Sequence, residues 1–240
     1  MSRRVAWTLS LLGLAVAIAL LVAYGDQPIA DLFYAGDGPW AGFFSRLTMV
    51  GSAVVYLVPL GFASLFLLLA ARGAAPRIRA ARLRLASRLM FVFAAIALSG
   101  LTVDLIKVLV GRTRPYLWRD GGLYHFAPPG WSSLYQSFPS GHAANLFAAA
   151  LAAGMLLPAW RRPLLALAGL LALTRLAVGA HYPSDLLGGA AVAIIVTLAL
   201  RRWCASRGWV FRRPPGAGYR PRGRVQIGGR KRARSASSKR

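Results

Sequence analysis

The chain has no glutamate, and among its 240 residues there are only six acidic side chains, one cysteine and three histidines. Each scarcity excludes something. So few carboxylates leave little from which to build an oxygen cage for a hard cation, which favours chemistry without a metal, and no cofactor is expected. The lone Cys204 rules out an internal disulfide framework. Acids are scarcest where bases gather, so the net charge of +24 is carried in blocks rather than balanced in pairs.

What is present is apolar. Hydrophobic residues make up 57% of the chain and the mean hydropathy is +0.52, values that place it among membrane proteins. The fold class expected is all-α, a polytopic membrane protein built as a six-transmembrane-helix bundle. Apolar runs at about 5–24, 47–71, 89–110, 140–158, 163–180 and 184–200 supply the helices of one domain over residues 1–204. The first run, behind Arg3 and Arg4, reads as a retained helix, because it is long and no A-x-A-like cleavage site follows. Pro59 inside the second run is tolerated in a membrane helix and predicts a kink. Gly188, Gly189, Ala190 and Ala191 in the sixth allow helices to approach closely.

Charge orients the bundle. Residues 72–88 hold six arginines and no acid, Arg161-Arg162 follow the fourth run, and nearly half of all lysines and arginines lie in 201–240. The positive-inside rule puts these segments and both termini on the cytoplasmic side. The opposite face receives 25–46, 111–139 and 181–183. The first of these carries Asp26, Asp31 and Asp37 among Phe33, Tyr34, Trp40, Phe43 and Phe44, and reads as an interfacial loop. The tail, 205–240, is rich in Arg, Gly, Ser and Pro and is expected to be a disordered cytoplasmic segment. Because it follows a membrane helix, the bilayer with its anionic lipid is the expected partner of its charge, not nucleic acid.

The chemistry-bearing residues collect on the noncytoplasmic side in three stretches: KVLVGRTRP (107–115), PSGH (139–142) and TRLAVGAHYPSD (174–185). Lys107, Arg112, Arg114 and Arg175 are cations at helix ends, where a charge is costly and tends to mark function; any one alone reads equally as an arginine or lysine snorkelling to the headgroups. Pro139-Ser140-Gly141-His142 opens a helix, whose free amides form an anion site that Gly141 lets a phosphate approach. Ser140 alone reads as an ordinary cap. His181 and Asp185 are spaced i, i+4, which shares a helix face if the sixth helix starts near His181. The carboxylate then fixes one imidazole nitrogen and frees the other as nucleophile or base; an interfacial histidine capped by an acid fits the same spacing. Asp104, three residues before Lys107, reads as its structural ion partner. His125 reads as a loop histidine, with a headgroup contact as the alternative.

Taken together, Lys107 with Arg114-Pro115, then PSGH, then Arg175, His181 and Asp185 resemble the type 2 phosphatidic acid phosphatase superfamily of integral-membrane lipid phosphatases. The match covers the third to the sixth run; Thr174 stands where the family usually has serine. The resemblance implies that His181 attacks phosphorus to form a phosphohistidine and that Asp185 orients His181. It implies that His142 protonates the leaving oxygen and then activates water. Lys107, Arg114, Arg175, Ser140 and the Gly141 amide would hold the nonbridging oxygens, with no metal ligand. The substrate implied is a phosphorylated membrane lipid: undecaprenyl diphosphate, phosphatidylglycerol phosphate, phosphatidic acid or a lipid A phosphate. The stretch DLFYAGDGPW (31–40) is similar to the corresponding stretch of lipid A phosphatases of this superfamily. Two other readings stay open. The phosphoryl group could pass to a second lipid instead of water, or the chain could be a noncatalytic anchor or transporter centred on its basic tail.

Overall fold

The structure, a computed structural model, describes residues 3–36, 38–119, 126–213 and 218–222. The first apolar run forms α1 (Arg3–Leu20), passes through one wide π turn (Leu21–Gly25) and continues as α2 (Asp26–Phe33). The expected interfacial loop over 25–46 is therefore mostly helix, because nothing breaks the chain before Gly36. Pro28 is the third residue of α2, just past the π turn. Within α2 only Asp26 and Ala30, four residues apart, are buried. After a short irregular link come α3 (Ala41–Thr48) and a 3₁₀ turn, Met49–Gly51.

The second run is α4 (Ala53–Ala70), which continues through Pro59. It is followed by α5 (Pro76–Val110), 35 residues long. The arginine-rich stretch 72–88, expected as a loop, is largely the start of α5. Proline suits a first turn, and the Arg, Ala and Leu that follow are strong helix formers with no breaker before Gly111. At 1.5 Å per residue α5 is roughly 52 Å long, far more than a hydrocarbon core needs, so its basic turns protrude beyond the apolar part. Gly111 ends it in the left-handed conformation (φ 59°) that a non-glycine residue adopts at a cost.

Beyond this lie α6 (Pro115–Arg119), α7 (Gly141–Leu156), α8 (Arg161–Ala177) and α9 (Pro183–Ser206). Helix α7 is the centre of the bundle. Its Ala143, Leu146 and Ala150 pack with Ala168, Ala172, Leu176 and Leu186, and its Ala148 with Ile96 and Ala193. Small residues let these axes approach, as dispersion and close packing require where lipid removes any hydrophobic gain. Large apolar side chains instead point outward, among them Phe62, Phe66, Leu101, Leu105 and Leu170. A surface of this kind suits acyl chains and not water.

Val5–Phe33, Ala41–Ala70, Pro76–Val110 and Pro183–Ser206 are long and apolar enough to cross a membrane; Gly141–Leu156 is apolar but shorter. The mostly helical chain is an integral membrane protein. The runs expected at 140–158 and 163–180 form helices of 16 and 17 residues, both below the ~20 that a bilayer core demands.

The tail departs from expectation. α9 continues to Ser206, and β1 (Phe211–Arg212) pairs antiparallel with β2 (Arg220–Pro221), Phe211 opposite Pro221. The cause is the apolar Trp209-Val210-Phe211. Phe211 is buried against Phe91, Ala95, Ala152, Leu200 and Cys204, its ring 4.8 Å from that of Phe91. The remainder of the expected disordered segment, 214–217 and 223–240, lies outside the described residues, as does His125.

Candidate active site

One end of the bundle gathers the C-termini of α5 and α8 and the N-termini of α7 and α9. The arginine-rich ends of α5, α8 and α9 lie at the other. The eight residues to which the resemblance gives a role, Lys107, Arg114, Ser140, Gly141, His142, Arg175, His181 and Asp185, sit at the first end.

Lys107 occupies the last turn of α5, with Nζ 3.6 Å from Asp104 Oδ1. The Asp104 side chain is 71% exposed, so this pair leaves the lysine largely available to a ligand. Nζ also abuts the start of α7, since a Cβ on Gly141 would stand 3.4 Å from it. Arg114 follows the turn at Gly111. Its Nε donates to Ser133 O (2.8 Å) and one Nη to Ala180 O (3.4 Å), which places the guanidinium beside His181.

Ser140 caps α7: its hydroxyl oxygen accepts from the Ala143 amide at 3.4 Å, and its own N–H donates to the Asp185 carbonyl at 2.9 Å. The capping reading of Ser140 is thus realised, and its hydroxyl proton stays available to a ligand, because a hydroxyl both donates and accepts. His142, half-buried, is the second residue of α7 and lies within electrostatic reach of Arg175, His181, Lys107 and Arg114.

Arg175 ends α8. One Nη donates to Thr48 Oγ1 at 3.0 Å, and its buried Nε has no partner among the described residues. Thr174, the departure from the family pattern, turns its hydroxyl into its own helix, donating to Leu171 O at 2.6 Å.

His181 and Asp185 approach each other, though not across a helix face. α9 begins at Pro183, so His181 precedes it, and the contact forms through the N-terminal turn. His181 Nδ1 is 3.4 Å from Asp185 Oδ2, within ion-pair distance but not aligned as a hydrogen bond, so the buried Nδ1 has no hydrogen-bond partner among the described residues. The same oxygen accepts from the Ser137 hydroxyl (2.6 Å) and the Tyr182 amide (2.8 Å). The other, Oδ1, accepts from Arg112 at 2.6 Å. Burial pushes the His181 imidazole down to about 4, outweighing the opposite pull of Asp185, and Arg114 and Arg175 add to the lowering. At neutral pH the ring is uncharged, with Nε2 able to act as a nucleophile.

Two residues beside these, Asp26 and Ser137, escaped sequence reading, and a third, Arg112, is placed otherwise than its sequence suggests. Arg112 is not one more cation facing the ligand space but is 1% exposed, between Asp26 and Asp185. Asp26 comes from the segment expected as an interfacial loop. Ser137, just before PSGH, holds the Asp185 carboxylate. An available signal for Asp26 was its place at the end of an apolar run, where an acid is costly. Among the described residues no three His, Cys, Asp or Glu side chains gather into a group able to hold a metal ion.

Three cations, an amide-rich helix start and two histidines, one of them beside a carboxylate, thus share one end of the bundle, a set able to hold a phosphate. The chain belongs to the PAP2 superfamily, whose family model matches residues 88–209. It is 38% identical over 125 residues to a lipid A 1-phosphatase of Rhizobium johnstonii, covering 52% of this chain and 51% of that protein. To a lipid A 1-phosphatase of Rhizobium etli it is 40% identical over 101 residues, covering 42% and 44%. The chain thus spans about half the length of these curated relatives, or less. Among solved structures it shares its fold with Aquifex aeolicus LpxE (TM-score 0.52, 23% identity, 74% of this chain and 94% of that one). It also shares it with the transmembrane PAP2 type phosphatidylglycerolphosphate phosphatase of Bacillus subtilis (TM-score 0.54, 21% identity, 85% and 96%).

Proposed function

We propose that this protein is a lipid phosphatase that works through a phosphohistidine without a metal ion, and that lipid A 1-phosphate leads its substrate class. The observation that carries the reading is the buried, neutral His181, 3.4 Å from Asp185 and flanked by Lys107, Arg114, Arg175 and His142.

In the first step His181 Nε2 bonds to phosphorus as the phosphorus–oxygen bond to the lipid breaks, and His142 gives its proton to the departing oxygen. In the second, His142 takes a proton from water, whose oxygen displaces His181 and releases inorganic phosphate. Splitting the displacement in two lowers each barrier. Lys107, Arg114, Arg175 and the start of α7 neutralise the charge spread over the nonbridging oxygens, the main demand of phosphoryl transfer.

Lipid specificity has a physical basis in a groove of about 560 Å³ between α4, α5, α7 and α8, lined by Val55, Tyr56, Leu146, Ala150, Ala168 and Leu171 among others. Leu146 is one turn below His142 and Leu171 one turn below Arg175, so an acyl chain in the groove leads its phosphate to the site. The two Rhizobium relatives, both lipid A 1-phosphatases, favour that lipid over undecaprenyl diphosphate, phosphatidylglycerol phosphate and phosphatidic acid.

The accompanying topology is six membrane helices in a bacterial inner membrane, with α7 and α8 as the short central pair. Both termini are cytoplasmic, and the site faces the periplasm or exterior. Its support is the arginine-rich end opposite the site.

The test is phosphate release by purified protein from a panel of these lipids in EDTA, with His181→Ala and His142→Ala alongside. EDTA-resistant release, lost in His181→Ala, with acid-labile ³²P on the protein, is expected. Full release by His181→Ala defeats the reading.

A further inference from the structure

Asp26 lies far from the three motifs and outside residues 88–209, which the family model matches. It is nevertheless built into the site. Its side chain is 1% exposed. Oδ1 accepts from the Ser184 amide at 2.9 Å, and Oδ2 accepts from the Ser184 hydroxyl at 2.5 Å and from Arg112 at 2.6 Å. The Arg112 guanidinium lies over the Tyr182 ring, 4.4 Å from its centroid, and its second Nη donates to Asp185 Oδ1 and to Ser184 Oγ, both at 2.6 Å. Buried hydrogen bonds therefore run without a gap from Asp26 through Arg112 to Asp185, whose other oxygen lies 3.4 Å from His181 Nδ1.

From this relay we infer that Asp26 and Arg112 are positioning residues for the nucleophile: Asp26 orients Arg112, Arg112 orients Asp185, and the charge of Asp26 keeps the Asp185 carboxylate effective toward His181. The inference rests on the phosphohistidine reading given above. Two physical arguments carry it. The first is charge. One buried cation between two buried carboxylates leaves the trio with a net charge of −1, and that excess faces an imidazole that turns cationic when phosphorylated on Nε2. Neutralising Asp26 gives Arg112 a single carboxylate partner, and the trio no longer has negative charge to offer. The second is geometry. A planar guanidinium held at both Nη atoms cannot rotate, so Asp185 Oδ1 is pinned and Oδ2 is kept beside Nδ1, 3.4 Å away. The wide π turn at Leu21–Gly25 leads directly into Asp26, and such turns are frequent beside functional residues.

The substitutions Asp26→Asn and Asp26→Glu separate positioning from mere support. Asparagine keeps the shape and the acceptor for the Ser184 amide but removes the charge; glutamate keeps the charge and lengthens the reach. Kinetics on lipid A 1-phosphate, or on whichever panel lipid the wild type hydrolyses, should show kcat for Asp26→Asn falling about 10–100-fold, the range typical of residues that orient reacting groups. KM should stay within about twofold, and rapid-quench labelling should show slower phosphoenzyme formation. Asp26→Glu should recover a good part of kcat. Arg112→Lys, which keeps one charge but loses the two-pronged grip, should lower kcat as Asp26→Asn does. Unchanged kcat in a folded Asp26→Asn overturns the inference, and so does a loss confined to KM. If Asp26→Asn fails to fold, full kcat in folded Arg112→Lys overturns it too. Wild-type activity that survives His181→Ala overturns the underlying reading instead, which keeps the two failures distinguishable.

Discussion

The backbone of Gly51 lies flat against the imidazole of His142: a Cβ at position 51 would stand 2.8 Å from His142 Cδ2. The contact is braced from below, where the Asn145 amide donates to Gly51 O at 3.2 Å. The turn after α3, outside all three motifs, thus forms one wall of the site.

Gly51→Ala is expected to push His142 out of line while the protein still folds. A general acid contributes typically ~10²–10⁴-fold, so a displaced one should cost kcat about tenfold or more. Steady-state kinetics beside a thermal melt check this; unchanged kcat would show that the ring tolerates the methyl group.

Thr48, the last residue of α3, steadies Arg175 just before that turn. Thr48→Val keeps the shape and removes the acceptor. Hydrogen bonds to charged groups are worth about 1.5–3 kcal/mol, so KM for the lipid should rise by about tenfold, with a smaller effect on kcat. Equal affinity in the variant would mean that Arg175 holds its place without Thr48.

Acid should destabilise the fold through His181. Its pKa is about 4 in the folded protein, against the ordinary imidazole value of about 6.5, so between these values the unfolded chain binds more protons. The stability that His181 contributes is complete above about 6.5, declines as pH falls and is lost below about 4. The shift corresponds to about 3 kcal/mol. Melting of wild type and His181→Asn in detergent between pH 4 and 7 tests this: the difference between them should grow in favour of the wild type as pH rises. A constant difference would contradict it.

Phe211 anchors the start of the tail at the end of the bundle away from the site. Phe211→Ala should cost about 3–5 kcal/mol of stability, as for a buried phenylalanine elsewhere, and should leave kcat unchanged. Protease cleavage after Arg207 or Arg212 should become faster. Deleting 223–240 should change neither stability nor activity; loss of activity on that deletion would favour the tail-centred reading of the chain.

How much was legible differs by residue. That Lys107, Ser140, His142, Arg175, His181 and Asp185 come together could be read because each sits in a short stretch whose spacing is itself the signal. The nature of the His181–Asp185 contact could not, because it depends on where α9 begins, and the Pro183 start displaced it from helix face to N-terminal turn. Charge sets the stretch 72–88 apart from the three motifs, and the structure has it at the opposite end of the bundle, but as helix and not loop. Charge orients a segment but does not set its backbone, whereas the absence of a breaker after Pro76 does. Phe211 was hidden within a tail whose composition is dominated by arginine and glycine.

Hydropathy, charge blocks and motif spacing are local properties, and by themselves they determined a helical membrane protein, the end of the bundle that bears the site and the residues that gather there. Only the tertiary structure decided that Asp26 belongs to that site. It meets Arg112 across 86 residues of chain, and Arg112 meets Asp185 across 73. No local pattern records such a meeting; the packing of α2 against the start of α9 creates it, and a buried guanidinium there must find carboxylates or remain uncompensated.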